Sequence, residues 1–158
     1  MKPTLTPQLA LVYLRELSTD VRGGLVLDEE SRPVAGDPRL EPGARALLEA
    51  VRGRAWTELR APSGWVFVAS FPGGALVLVT GPHALPGLVR HDMTAVGAML
   101  AGAARVGGPR DAAPPAPGVA PADGQGLPAA APEGALLRLA EGLHGALSPV
   151  GERLAADR

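Results

Sequence analysis

The chain has 158 residues, and its 15 Lys and Arg against 16 Asp and Glu give a formal net charge of −1. This length accommodates one small domain with an appendage and excludes two long domains. The balanced charge argues against a generic nucleic-acid or anionic-membrane binder, and the lack of cysteine excludes disulfide frameworks, thiolate metal sites and cysteine catalysis.

The first element is a predicted helix over residues 7–17. Thr6 can cap this helix through its hydroxyl, and Pro7 suits the first helical position, where its missing N–H would be unpaired in any case. We expect the buried stripe to consist of the apolar residues at helical spacing, Leu9, Val12, Tyr13 and Leu17, widened by Leu11 and Leu14.

A hairpin and a second helix come next. The apolar run 24–28 predicts a strand, residues 28–33 predict a polar turn, and residues 34 and 35 predict a short returning strand. Because Pro33 cannot donate a ladder hydrogen bond, the second strand should begin there or lie at a sheet edge. The following helix should end at Gly53 and bury one stripe, Ala44, Leu47, Leu48 and Val51.

Three strands and a long helix follow. The strands are predicted over residues 55–60, 65–71 and 75–80, with glycine- and proline-rich turns between them. The helix is predicted over residues 85–105, and its stripe should be Leu88 or Val89, then Val96, Met99, Leu100 and Ala103.

The rest of the chain divides into a linker and a short helix. Residues 107–132 are dominated by Ala, Gly and Pro, which predicts a disordered tether. In residues 133–158, Arg138, Glu141 and His144 should face solvent. The helix could fold back on its own domain, bind a partner or stay frayed, and its apolar face comprises Leu136, Leu139, Ala140, Leu143, Ala146 and Leu147.

The order helix, two strands, helix, three strands, helix predicts an α+β fold. We expect a five-stranded, mostly antiparallel sheet because tight turns join its strands, with the helices on one face. The predicted organisation is a domain over residues 1–106, the linker over 107–132 and the tethered helix over 133–158.

This order of elements resembles that of the roadblock/dynein light-chain-like domains, which are relatives of the longin and profilin-like folds. Pro33 departs from the family, whose hairpins often have glycine there, and so do the linker and extra helix. The resemblance spans about residues 7–105 and is carried by LALVYLRELS, VRGGLVLDEESRPVAG, ALLEAV, WVFVAS, ALVLVTG and LVRHDMTAVGAMLA.

The resemblance implies a non-enzymatic scaffold that works as a dimer. Members pair their middle helices and third strands, either as two identical chains or with a second roadblock-like chain. Bacterial members are similar to partners and regulators of small Ras-like GTPases, and some resemble an activator whose C-terminal helix touches the GTPase. The resemblance therefore implies a dimer that binds such a GTPase.

Strand pairing is also expected from the sequence itself. An open sheet leaves unpaired N–H and C=O groups at its edges, and the predicted strand 55–60 carries Trp56 and Leu59 without a proline. We predict an interface made by the middle helix, this strand and the last helix, with Arg45, Leu48, Arg52, Trp56, Glu58, Leu136, Leu139, Leu143 and Leu147 as its residues.

Motifs for catalysis are missing from the sequence. No glycine-rich turn precedes a Lys-Ser/Thr pair, and no Gly-x-Ser-x-Gly elbow occurs. His83, His91 and His144 lack the i, i+4 spacing of helical metal sites, and a polar turn explains the acidic run 28–30. We expect no enzymatic activity, metal or cofactor.

The sequence leaves a small-molecule sensor as the alternative function, and it also predicts the cellular location of the protein. A small-molecule sensor of the PAS or GAF kind has a comparable sheet but needs a pocket within its core. The sequence shows no signal peptide and no apolar run of the roughly 18–20 residues that span a bilayer. We therefore expect a cytoplasmic protein without a membrane partner.

Overall fold

The computed structural model describes residues 5–107 and 133–147. The predicted linker, apart from its first residue, and residues 148–158 at the end of the predicted tethered segment lie outside the described residues. The elements are α1 Pro7–Leu17, β1 Val21–Leu27, β2 Pro33–Gly36, a 3-10 turn Pro38–Leu40, α2 Glu41–Ala50, β3 Trp56–Ala61, β4 Gly64–Phe71, β5 Gly74–Thr80, α3 Pro86–Gly107 and α4 Glu133–Leu147.

The five strands form one antiparallel sheet in the order β2-β1-β5-β4-β3. Pro33 opens β2 at one edge of the sheet, as predicted, and β3 lies at the other edge. Gly64 sits in the tight turn between β3 and β4 at φ +143°, where a Cβ would collide with the carbonyl of Thr80. The α+β fold with its predicted order of elements is thus confirmed.

Helices cover both faces of the sheet, so the expectation that one face carries them all is wrong. Successive residues of a strand point to opposite faces. Accordingly Val66 and Val68 of β4 join a core with α2 and α4, whereas Phe67 between them joins a core with α1 and α3. The nearly continuous apolar runs of β4 and β5 reflect this burial on two sides.

Helix α1 has the predicted bounds and cap, and of its predicted stripe it buries only the two widening residues, Leu11 and Leu14. The hydroxyl of Thr6 accepts a hydrogen bond from the N–H of Leu9 at 3.3 Å. The buried residues are Ala10, Leu11 and Leu14, whereas most of the expected stripe is exposed: Leu9, Val12, Tyr13 and Leu17. Helix α1 has apolar residues on all of its sides, so their spacing alone could not predict which side is buried. The buried side is the one on which the small Ala10 allows close packing.

Helix α3 resolves the choice between its first apolar positions. Val89 is buried and Leu88 is exposed. Met93, which the predicted stripe omitted, is fully buried, whereas the predicted Met99 is 46% exposed. Gly97 is buried where α3 crosses the ring of Phe71.

The two methionines of α3 provide a matched test of this orientation. Replacing buried Met93 with Ala should lower the free energy of unfolding by about 2–5 kcal/mol, because it leaves a cavity in the core. Replacing exposed Met99 with Ala should change it by less than about 0.5 kcal/mol. Urea denaturation of the two variants makes the comparison, and equal losses would contradict the orientation of α3.

Candidate interface along the third strand

The outer side of β3 is an open sheet edge. Within the described part of the chain, β3 pairs with β4 alone. The carbonyl of Ala55 accepts from the N–H of Ser70 at 2.9 Å, and main-chain bonding alternates along an antiparallel ladder. The N–H and C=O groups of Trp56, Glu58 and Arg60 therefore point away from β4, ready to pair with another strand.

Aromatic and charged side chains flank this edge on the α3 side of the sheet. The ring centroids of Trp56 and Phe67 are 5.8 Å apart, and the indole N–H of Trp56 donates to a Glu58 carboxylate oxygen at 3.3 Å. The guanidinium of Arg90 lies 5.6 Å from the centroid of the Trp56 ring, and that of Arg60 lies 5.5 Å from Trp65. Cation–π contacts of this kind hold both arginines beside the strand.

Helix α4 covers the opposite face of β3. It packs against β3, β4, α2 and the 3-10 turn, and it buries Leu136, Ala140 and Leu143 in the α2-side core. Leu139, Ala146 and Leu147 are partly buried against the same core, which confirms the predicted apolar face. Of the alternatives left open by the sequence, folding back on its own domain is the one that this structure adopts.

Two glycines provide seats for the leucines of α4. A Cβ on Gly43 of α2 would lie 2.8 Å from a methyl carbon of Leu143, and one on Gly23 of β1 would lie 2.8 Å from Leu147. Such distances are shorter than atoms tolerate in packed interiors, so both leucines fill space that a side chain would otherwise take. These two contacts therefore fix the position of α4 on its domain.

A groove of about 710 Å³ runs along the β3 edge between α3 and the first turns of α4. Most of its lining side chains are exposed, and three arginines outnumber two glutamates among them. It is an open surface groove, which suits an extended polypeptide. Its lining residues are Arg54, Trp56, Thr57, Glu58, Leu59, Arg60, Arg90, Glu133, Leu136 and Leu137.

The structure does not bring all predicted interface residues together. Trp56, Glu58 and Leu136 line the groove, but Arg45 on α2 and Arg52 in the turn after α2 are exposed and do not. Their guanidinium groups form local ion pairs, Arg45 with Glu41 at 3.4 Å and Arg52 with Glu49 at 2.7 Å. Surface pairs of this kind contribute little to stability and leave the side chains free to engage a partner.

Leu48 lies apart from the groove as well. It is partly buried against the α2-side core and lines a second cavity of about 600 Å³ with Arg52 and the turns at the ends of β1 and β4. Leu139, Leu143 and Leu147 contact their own domain. A role in binding for all nine predicted residues stays a prediction.

His144 contradicts the prediction that it faces solvent. It is 6% exposed on the inner side of α4, and neither of its ring nitrogens has a hydrogen-bond partner among the described residues. Burial lowers the pKa of its imidazole below the ordinary value of 6.5, and the nearby Arg22 lowers it further, while Glu141 acts in the opposite direction. Neutral histidine is therefore the form that this environment favours.

The acidic run 28–30 serves a turn, as the sequence predicted. An Asp28 carboxylate oxygen accepts from the main-chain N–H of Arg32 at 2.8 Å and from that of Glu30 at 3.0 Å. The main-chain bond from Arg32 is the chief cause that lowers the pKa of Asp28, and the Arg32 side chain adds to it. This carboxylate is thus occupied in holding the hairpin turn.

The described residues hold no group of three or more His, Asp or Glu side chains that could bind a metal ion. The Nδ1 atom of His91 contacts an Asp92 carboxylate oxygen at 3.1 Å on the surface, and the main chain of His83 donates to Asp20. Within residues 5–107 and 133–147, no helix has the length and apolar character needed to cross a bilayer.

Several groove residues were absent from the predicted interface. Arg60 could have been found, because it shares the period-2 face of Trp56 and Glu58 on the same strand. Arg90 lies 34 positions from Trp56 in the chain, and no local pattern links the two. Leu137 and Glu133 reach the groove only because α4 docks over β3.

Comparison with known proteins returns similarities to solved structures. One is a crystal structure of the Roadblock/LC7 domain from Streptomyces avermitillis, with 21% identity, a TM-score of 0.48, and coverage of 56% of this chain and 92% of that one. Another Roadblock/LC7 domain, from Streptomyces avermitilis, has 15% identity, a TM-score of 0.45, and coverage of 61% and 92%. No protein-family model matches the chain, and no curated protein matches it significantly.

The folded chain has the order of elements on which the resemblance noted from the sequence rests, with two strands before the middle helix and three after it. Its fourth helix is an addition to that order.

The attachment of α4 can be measured with two of its leucines. Leu143 is 1% exposed and Leu137 is 43% exposed. Replacing Leu143 with Ala should weaken the free energy of α4 docking by about 2–5 kcal/mol, because it leaves a cavity beside Gly43. Replacing Leu137 with Ala should have little effect on it. Hydrogen exchange of the α4 amides reports the docking, and unchanged protection in Leu143→Ala would contradict the described contact.

Proposed function

We propose that this protein is a non-enzymatic scaffold that binds other proteins and pairs with a second copy of itself along β3. The observation that supports this proposal is the free row of main-chain groups at Trp56, Glu58 and Arg60. Unpaired edges attract strands, and natural edges are commonly blocked by proline or covered, neither of which β3 shows in the described residues. Adding a strand there would satisfy these groups.

The side chains of β3 favour one register for this pairing. Residues opposite each other in an antiparallel pair lie on the same face, so a two-fold axis perpendicular to the sheet must lie midway between the two copies of one residue. An axis at Leu59 places Glu58 of each copy opposite Arg60 of the other and brings the two Leu59 side chains together on the α4 side. Opposite charges in such positions each contribute roughly 0.2–1 kcal/mol.

Neighbouring registers are less favourable. An axis at Glu58 places the two Glu58 carboxylates opposite each other, and an axis at Thr57 places Arg54 opposite Arg60. Like charges directly opposite each other are destabilising. The Leu59 register is therefore the one that we propose.

The proposed dimer has α4 at its seam. A two-fold axis perpendicular to the sheet keeps α4 of both copies on the same side of the joined sheet. Since α4, rather than α2, is the helix packed on β3, it stands closer to the seam than the middle helix does. This differs from the pairing of middle helices that the resemblance implies, and it follows from the docked position of α4.

We further propose that the dimer binds a small Ras-like GTPase and regulates or tethers it without supplying a catalytic group. The support is the resemblance noted from the sequence, together with exposed arginines on α2, in the turn after it and along the groove, which are available to an acidic partner surface. The sensor alternative needs a ligand within the core, whereas the groove along β3 is open to solvent.

Charge exchange across the seam tests the register. Glu58→Arg and Arg60→Glu each turn two attractive pairs into two repulsive ones, so each variant alone should dimerise about tenfold or more weakly than the natural chain. An equimolar mixture of the two variants should recover the dimer, because the arginines of one variant then lie opposite the glutamates of the other. Light scattering at low salt and micromolar concentration reads the mass.

The dimer proposal fails if the natural chain has a mass near that of one 16.1 kDa chain under these conditions. If the natural chain dimerises but neither single variant weakens it, the interface lies elsewhere. Folding of each variant is checked by circular dichroism, since both side chains are exposed and their exchange should leave the fold intact.

Binding to a GTPase is tested with a Ras-like GTPase from the same organism. The protein should bind one nucleotide state, GDP or a non-hydrolysable GTP analogue, more tightly than the other, because a regulator must distinguish the two conformations. Biolayer interferometry with the GTPase immobilised measures both states. Absence of binding in both would sink the GTPase proposal and leave the dimer proposal standing.

A further inference from the structure

Helix α4 depends on contacts with its domain to remain helical. The helix has 15 residues and contains Gly134, Gly142 and Gly145. Each glycine costs about 1 kcal/mol relative to alanine in a helix, and isolated helices of this length are marginal in water. Apolar burial of Leu136, Ala140 and Leu143 therefore provides most of the stability of α4.

His144 places a titratable group inside this contact. It follows the buried Leu143 on α4 and lies near Arg22 at the start of β1, and both of its ring nitrogens are buried without a partner in residues 5–107 and 133–147. An imidazolium has two N–H donors and a full charge, both of which demand solvation or acceptors. Neither is provided where His144 sits.

We infer that α4 is a releasable cover of the α2-side core, held in place while His144 is neutral and freed when His144 takes up a proton. In the released state, the imidazolium gains water and the helix loses its seats on Gly23 and Gly43. The part of the domain face beneath Leu136 and Leu143 then becomes accessible. This inference concerns the chain by itself and does not depend on the proposed dimer or GTPase.

The surrounding charges do not cancel the effect of burial. Arg22, from β1, opposes protonation of His144, and Glu141, from α4 itself, favours it, but burial has the largest influence. Strand β4 has no ionisable side chain, and the other elements packed against α4 have Arg39 in the 3-10 turn, Glu41, Arg45 and Glu49 in α2, and Glu58 and Arg60 in β3.

The direction of the pH dependence follows from the lowered pKa. In the released state the imidazole titrates near its ordinary value of 6.5, whereas in the docked state it takes up a proton only at lower pH. Docking is therefore at full strength above about pH 6.5. It weakens as the pH falls below that value and reaches its minimum below the docked pKa.

Hydrogen–deuterium exchange of the full chain tests the inference. After correction for the intrinsic pH dependence of exchange, protection of the α4 amides should fall by about tenfold or more between pH 8 and pH 5. Protection of β4 and β5 should persist, because the sheet does not contain the histidine. The same experiment on His144→Phe, which fills the space but cannot titrate, should show α4 equally protected at both pH values.

Two results would overturn the inference. One is unchanged protection of α4 in the natural chain, and the other is an equal loss in His144→Phe. If His144→Phe does not fold, as judged by exchange in β4 and β5, an NMR titration of the natural chain decides instead. Titration of His144 must then coincide with loss of the docked α4 signals, with the exposed His83 and His91 as references, and titration without that loss refutes the release of α4.

Discussion

The main-chain groups on the outer side of β3 set the constraint on which the proposed function depends. Hydrogen-bonding groups at Trp56, Glu58 and Arg60 find no strand within the described residues, so their hydrogen bonds must come from outside these residues. Strand β3 contains no proline, whereas the opposite edge strand, β2, begins with Pro33. The two edges of one sheet thus differ in their capacity to bind.

Helix α4 covers one face of β3 but leaves the edge of this strand open. The leucines of α4 pack where Gly23 and Gly43 have no side chains. One wall of the groove is consequently a helix held mainly by apolar contacts. If protonation of His144 releases α4 as we infer, that wall moves, and binding at the edge is coupled to the attachment of α4 through their shared boundary.

Charged groups elsewhere act locally. Asp28 and Arg32, Asp37 and Arg39, and Glu49 and Arg52 pair over short separations on the surface, where solvent screens them. The Arg39 guanidinium lowers the pKa of Asp37, which keeps this carboxylate charged at the start of the 3-10 turn. These pairs shape turns and helix ends, whereas Arg54, Glu58 and Arg60 place their charges beside the open edge of β3.

The order of elements and most of their bounds followed from the sequence because they depend on local chemistry: the Thr6 cap, the proline at position 33 and the unbroken apolar runs of β4 and β5. The leucine face of α4 could likewise be predicted from its spacing. Only the tertiary structure decided which side of α1 is buried, that helices cover both faces of the sheet, and that Arg90 stacks over Trp56. It also decided that His144 faces the core. Each of these features depends on residues that are distant in the chain and compete for the same surface. Apolar spacing indicates which side chains can be buried, but it does not indicate which residues they pack against.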